Sequence, residues 1–372
     1  MQALRHAIFD LREASGSLGD LGTFLPLLVG MTSQNGLDFT AALFFAGFFN
    51  VVTGLVFSIP MAVQPMKAIA AVALVQGLTP GQICAAGLMV SLLLLVAAST
   101  RGLSLLQERL PMPVIRGLQL GLGFSLFAKG VELVQRDLSL GWSHWPLFLA
   151  GLTLVLWWGQ RPARPTALML FLLGCAVVAV QQPLLLEPGF YPPHWCPPSW
   201  LDFQSSFWSA ALPQFPITVL NSVIGVSVLS YDLFDERGAS PRKVALSVAL
   251  MNLVPACFGG MPMCHGAGGL AGQVRFGARS NGSILMLGAA KMAAALLFGA
   301  SLLSLCRAYP GSLLGLMLAL SALELAQVAY RPGSRGEVTA TLITAATTAA
   351  LQNPLVGLLV GGLFWLGRRD DS

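Results

Sequence analysis

Charge is what this sequence has least of. Its 372 residues include 21 Lys and Arg and 16 Asp and Glu, 10% together, where a soluble domain averages about 25%. So few charged side chains cannot cover the water-facing surface of a chain that is 55% apolar before its 40 glycines are counted. The apolar excess must therefore face lipid, and the mean hydropathy of +0.73 agrees. Disorder, a secreted disulfide scaffold and a nucleic-acid-binding domain are excluded by the same numbers. The net charge of +5 belongs to loops rather than to a basic groove.

Other absences narrow the chemistry. The six cysteines, Cys84, Cys175, Cys196, Cys257, Cys264 and Cys306, show no C-x-x-C spacing, and five lie in apolar runs, where a thiol packs as a small hydrophobe. No metal and no cofactor are expected. There is no P-loop to bind ATP. Cys264 and His265 are neighbours on what reads as an extended stretch, so they face opposite ways and cannot pair as nucleophile and base; the chain is not read as an enzyme. The run Gly266 to Ala271 fits a dinucleotide-binding pattern, but no βαβ unit surrounds it. The first 17 residues carry Arg5, Asp10, Arg12 and Glu13, so no cleavable signal is expected.

What is there is a series of apolar stretches bounded by charge, Pro or Gly: 18–33, 39–59, 61–78, 82–99, 114–131, 145–158 and 166–182, then 207–231, 244–259, 263–278, 283–305, 311–329, 337–351 and 354–367. That makes about fourteen segments, several too short to cross a ~30 Å hydrocarbon core alone. The Pro- and Trp-rich stretch from Gln182 to Phe203 separates seven from seven. It suggests a first unit over 1–182, an extracytoplasmic linker over 183–205 and a second unit over 206–372. If every segment crosses from a cytoplasmic N-terminus, sixteen of the 21 basic residues fall on the cytoplasmic side, among them Arg12, Arg116, Arg237, Arg275 and Arg335. Only Lys129, Arg136 and Arg307 fall opposite, with Lys67 and Lys291 inside spans. This is the positive-inside bias of a sound topology, with both termini cytoplasmic.

Motifs repeat across the midpoint. Leu25-Pro26-Leu27-Leu28 matches Phe215-Pro216-Ile217-Thr218, and Pro60 to Met66 matches Pro262 to Gly268, in the same order. Seven spans per unit is an odd number, so the second copy is inverted, the plan of secondary transporters whose sites lie where discontinuous helices meet. Pro60 and Pro65 force an extended stretch before a half-helix opening at Met66, Lys67 and Ala68. Gly259, Gly260 and Pro262 do the same before a half-helix opening at Gly266, Gly268 and Gly269. Two helix N-termini then face one another, each with unpaired N–H groups and a positive dipole end suited to an anion. Two dipole ends supply about 0.3–2 kcal/mol each, short of the roughly 8 kcal/mol that micromolar binding needs. Side chains must contribute. Gln64, Lys67, His265, Gln214, Asn221, Ser222 and Thr23 are the candidates, and Asp20, an acid at the start of a span, is the candidate for coupling or for charge balance.

At these residues the sequence resembles a known family. Gly19-Asp20-Leu21-Gly22-Thr23-Phe24-Leu25-Pro26, Pro60 to Ala68, Pro213 to Ser222 and Pro262 to Leu270 are similar to motifs of the molybdate transporter family, a branch related to the sulfate permeases (SulP). The resemblance implies an all-α, seven-plus-seven inverted-repeat fold with core and gate domains and an oxyanion held between the third and tenth helices. About five residues follow the last span, so no cytoplasmic STAS domain is expected, which favours the molybdate branch.

The function expected is therefore a secondary active transporter that imports molybdate by proton symport and alternating access. Its site would be Gln64, Met66, Lys67, Ala68, Gln214, Asn221, Ser222, His265, Gly266, Gly268, Gly269 and Thr23, with Asp20 coupling. The alternatives are a sulfate transporter, a nucleobase carrier or an anion channel. A nucleobase carrier would want a glutamate in 207–231, which has none. Partners are the anion, a proton and the lipid bilayer of a bacterial inner membrane. Gly117-x-x-x-Gly121 and Gly357-x-x-x-Gly361 read as close helix packing or, alternatively, as a homodimer face.

Overall fold

The computed structural model describes residues 6–100, 103, 110–158, 165–181, 186–330 and 333–367. Arg5, Arg101, Arg109, Arg161, Arg164, Arg331, Arg368 and Arg369 of the loop-charge pattern lie outside these residues. Each expected span contains a helix. In the first half these are α2 (Leu21–Asn35), α3 (Phe39–Val56), α4 (Lys67–Gln76), α5 (Pro80–Ser99), α6 (Met112–Leu138), α7 (Trp145–Trp158) and α8 (Thr166–Gln181), after a short α1 (Leu11–Ser17). In the second half, α9 runs over Trp200–Arg237. It is followed by α10 (Pro241–Leu253), α11 (Ala267–Arg275), α12 (Gly282–Phe298), a short α13 (Leu302–Ala308), α14 (Gly311–Ala329), α15 (Arg335–Leu351) and α16 (Pro354–Gly367). Among the described residues, four helices are long and apolar enough to cross a membrane unaided: Phe39–Val56, Pro80–Ser99, Trp200–Arg237 and Gly282–Ala308.

Local chemistry explains the boundaries. A capping box of Thr79 with Gln82 starts α5, and one of Ser334 with Glu337 starts α15. Gly36 and Gly77, at φ 70° and 68°, end α2 and α4 in the left-handed conformation. Two expectations were too short. The eighth span begins at Trp200 rather than 207, because Ser199 and Asp202 form a third capping box. The fifth runs on to Leu138, past Lys129 and Arg136, which lie on the helix rather than in a loop.

The inverted repeat is visible in the packing. Two-residue strands β1 (Gln64–Pro65) and β2 (Met263–Cys264) pair antiparallel, with Gln64 opposite Cys264 and Pro65 opposite Met263. Around them α3 packs on α12 and α5 on α10, the second span with the eleventh and the ninth with the fourth, which are equivalent pairs under a twofold exchange of the halves. These helices, with α2, α4, α9 and α11, share one apolar core. The helices α6, α7, α8, α14, α15 and α16 form a second bundle, in which α6 packs on α14 and α15.

Glycines set the closest approaches. A Cβ on Gly288 of α12 would lie 2.6 Å from the Gly47 carbonyl of α3, and one on Gly47 would lie 2.7 Å from the Gly288 carbonyl. The two glycine stripes are used inside the chain. Gly117 and Gly121 abut Thr344 and Thr348 of α15, and Gly357 and Gly361 abut the same two threonines from α16. The homodimer reading loses its support on those faces.

Candidate anion-binding site

The chain at the centre of the first bundle is extended on both sides of the pseudo-twofold. Proline has no N–H, so the ladder between β1 and β2 is short, and the Met66 amide completes it by donating to Pro262 O at 2.9 Å. Two side chains hold the strands from outside. Asn252 of α10 donates to Met263 O at 2.7 Å and accepts from Met263 N at 2.6 Å. His265, fully buried, places Nδ1 2.8 Å from Ala62 O and Nε2 2.9 Å from Ser247 Oγ. A carbonyl only accepts, so Nδ1 donates there, and Nε2 is engaged by the Ser247 hydroxyl. His265 thus braces the strands and faces away from Cys264, which lies beside Ser222 and Lys67.

The two half-helix ends are not equivalent. Both were expected to be open, but Gln214 closes one: its Oε1 accepts from Ala68 N at 2.9 Å and from Ile69 N at 3.1 Å, while its Nε2 donates to Thr218 Oγ1 at 2.8 Å. Gln214 is presented by α9, where π-helical turns at Phe207–Ala211 and Thr218–Gly225 flank Pro213 and Pro216. At the start of α11 no described group accepts from the amides of Ala267, Gly268 or Gly269. That end is open, and such an end favours an anion.

Facing it are the charged and amide side chains. Gln64, fully buried, donates from Nε2 to Asp20 Oδ1, and its Oε1 has no donor among the described residues. Asp20 is buried and does not cap α2; Thr23 lies beside the same carboxylate. Lys67, partly buried at the first position of α4, has no hydrogen bond to a described residue and no described carboxylate within 4.0 Å. The charge that acts on it most strongly is Asp20. Space around Gln64 exists only because of glycine. A Cβ on Gly266 would collide with Gln64 Oε1, and one on Gly269 would come within 2.6 Å of Nε2. Leu126 of α6 covers Gly268 from the other bundle.

The structure therefore brings together Asp20, Gln64, Lys67, Thr23, Gly266, Gly268 and Gly269. Ser222 and Gln214 adjoin them through Cys264 and α4. Met66 and Ala68 contribute backbone already engaged, and Asn221 lines a cavity of about 10 Å³ between α6 and α9 with Gln119 and Gly225. One residue of this neighbourhood escapes sequence reasoning. Lys291 of α12 is 9% exposed, donates to Asn50 Oδ1 at 3.2 Å, stands 3.7 Å over the Phe24 ring and acts electrostatically on Asp20. Its only signal in sequence is that a lysine lies in mid-span.

An inverted-repeat bundle with two broken helices meeting at its centre is the architecture of a secondary membrane transporter. Similar folds are found in the transmembrane domain of a cyanobacterium bicarbonate transporter, BicA (TM-score 0.60, 16% identity, 94% of this chain and 96% of that one). The murine anion transporter Slc26a9 in its inward-facing state is similar too (TM-score 0.63, 13% identity, 96% of this chain and 68% of that one).

The chain belongs to the molybdate transporter family. The family model described as "Molybdate transporter of MFS superfamily" matches residues 12–126 and 206–325. The chain is 36% identical to Molybdate transporter 2 of Arabidopsis thaliana, over 95% of its own length and 86% of that protein. It is 34% identical to Molybdate transporter 1 of Chlamydomonas reinhardtii, over 94% of its own length and 89% of that protein. Despite the wording of the model, the halves of MFS proteins are related in parallel, whereas here β1 and β2 run antiparallel.

Proposed function

We propose that this protein imports molybdate by proton-coupled symport, alternating access around the site between α4 and α11. The observation that carries the reading is an ammonium, Lys67, and three amides at the start of α11, none of which has a partner among the described residues. A tetrahedral dianion offers acceptors to all of them. The family to which the chain belongs is one of transporters, and nothing in the site calls for bond-making chemistry.

The coupling follows from Gln64. With Asp20 ionised, the amide must turn Nε2 toward the carboxylate and its carbonyl toward the site, which repels an anion. A proton on Asp20 makes that oxygen a donor, the amide turns over, Oε1 accepts from Asp20, and Nε2 is presented to molybdate. Proton and anion then favour each other's binding. Asp20→Asn mimics the protonated acid. It is expected to keep exchange of molybdate across the membrane while abolishing the dependence of uptake on a proton gradient; a gradient dependence like that of the wild type would refute the coupling role.

The anion contacts have their own test. Gln64→Ala removes a donor, and Gln214→Ala uncaps α4 and frees two amides from their present acceptor, moving Lys67. Each is expected to raise the KM for uptake about tenfold, the effect of roughly 1.4 kcal/mol, with protein still reaching the membrane. Unchanged kinetics in both would remove the site.

Sulfate, also a tetrahedral dianion, is the second reading of the substrate. Competition of radiolabelled molybdate uptake by sulfate, tungstate and uracil, with and without an uncoupler, separates these; competition by uracil without molybdate uptake would overturn the assignment. Saturable flux without single-channel currents distinguishes a carrier from an anion channel. On this reading the repeats span 1–182 and 206–372 around an extracytoplasmic linker at 183–205. Both termini are placed in the cytoplasm by the charge bias of the loops, and the compact loops suit a bacterial inner membrane.

A further inference from the structure

Arg116 of α6 and Asp232 of α9 make a paired contact: NH2 donates to Oδ1 at 2.8 Å and NH1 donates to Oδ2. Their side chains are 12% and 15% exposed. Beside them NH1 donates to Gln119 Oε1 at 3.3 Å, and Gln119 Nε2 donates to Gly225 O, in the second π-helical stretch of α9, at 3.0 Å. Three ion pairs are found among the described residues. Lys129 with Glu132 lies within one helix, and His144 with Asp137 lies within the second bundle. Arg116 with Asp232 joins the two bundles, and it is the one fixed by planar, two-point geometry.

Position gives the pair its meaning. Asp232 is eleven residues beyond Asn221 on α9, about 16 Å along the axis. Arg116 is in the second turn of α6, whereas Asp137 is in its last, about 32 Å away. The pair therefore sits at one mouth of the cleft between the bundles, clear of the anion site, and at the end where the basic loops gather. Rocking one bundle against the other to open that mouth separates α6 from α9 and must break both hydrogen bonds.

We propose that Arg116 and Asp232 form the cytoplasmic gate of the transporter, closed in this structure and opened to release the anion inward. They touch no substrate; they set which face of the site is accessible. The inference rests on alternating access as proposed above and is independent of which anion is carried.

The test reads accessibility rather than transport. A cysteine placed at Leu122, which lines the small cavity between α6 and α9, is labelled with a membrane-impermeant maleimide in inside-out vesicles, against the same chain without that cysteine. Adding Arg116→Ala or Asp232→Ala is expected to raise the labelling rate at least tenfold, and the exchanged pair Arg116→Asp with Asp232→Arg to return it toward the parent rate. In a second arm, Arg116→Cys with Asp232→Cys is bridged by a bis-methanethiosulfonate, which spans the gap left by the two longer side chains through disulfides that a reductant opens. Uptake is expected to fall at least tenfold and to recover on reduction, which also shows that the variant is folded. Unchanged labelling in both alanine variants, or undiminished uptake in the cross-linked protein, would overturn the gate. Loss of molybdate uptake by the unmodified protein would instead count against the proposed substrate and leave the labelling result standing.

Discussion

Lys67→Met is expected to lower molybdate uptake at limiting substrate by about a hundredfold or more, with the protein inserted in the membrane at its normal level. The ammonium makes no hydrogen bond or close ion pair among the described residues, so its removal breaks no contact that holds the fold. The bound state loses a cation that has no acceptor among the described residues. Truncating one member of a desolvated charge pair costs about 2–5 kcal/mol, and each 1.4 kcal/mol is tenfold. Methionine keeps most of the length and the apolar stem of lysine, so the packing of the stem is retained. The measurement is initial uptake against concentration, beside the quantity of membrane-inserted protein. An unchanged KM with normal insertion would show that Lys67 faces no anion.

The largest effect on folding is expected at Gly288. Its Cβ would meet the Gly47 carbonyl at 2.6 Å and the Val51 amide nitrogen at 2.9 Å. These are backbone atoms of a packed helix, so relief requires α3 and α12 to part along their length. Overpacking costs about 1–3 kcal/mol even where side chains can yield, and here two of the three nearest atoms are backbone. Gly288→Val is expected to leave little monodisperse protein after detergent extraction and to lower the melting temperature of what remains. Gly362→Ala, where nothing lies within 4 Å, serves as the control and is expected to behave as the parent. Equal melting temperatures for the two variants would contradict the close approach.

The fold was legible because its signals are local or compositional. Each apolar run holds a helix. The proline pair at 60 and 65, with the glycines and proline at 259–262, found both breaks, since proline and glycine act on the chain where they stand. The site was legible only as a set of residue types. That Gln214 closes α4 while α11 stays open depends on a helix 146 residues away, and no periodicity encodes it. His265 looked like a ligand because it sits in the break, yet both its nitrogens are used to brace the strands. Lys291, Asn252, Arg116 and Asp232 were missed as partners for the same reason. Each is one polar residue in an ordinary helix, and its meaning comes from the helix across from it.

The pairing of β1 with β2 has a consequence for how the chain is made. Two hundred residues separate Gln64 from Cys264, so at about 5–20 residues per second the first strand emerges some 10–40 s before its partner exists. During that interval Met66 N lacks the Pro262 carbonyl that receives it in the finished protein, and a bare amide at membrane depth is costly. The first half must shelter this stretch, in water, at the insertion machinery or among its own helices, until the second arrives. Slowed synthesis between the halves therefore exposes an unfinished intermediate, and mutations in the second half can cause degradation of a first half whose own sequence is intact.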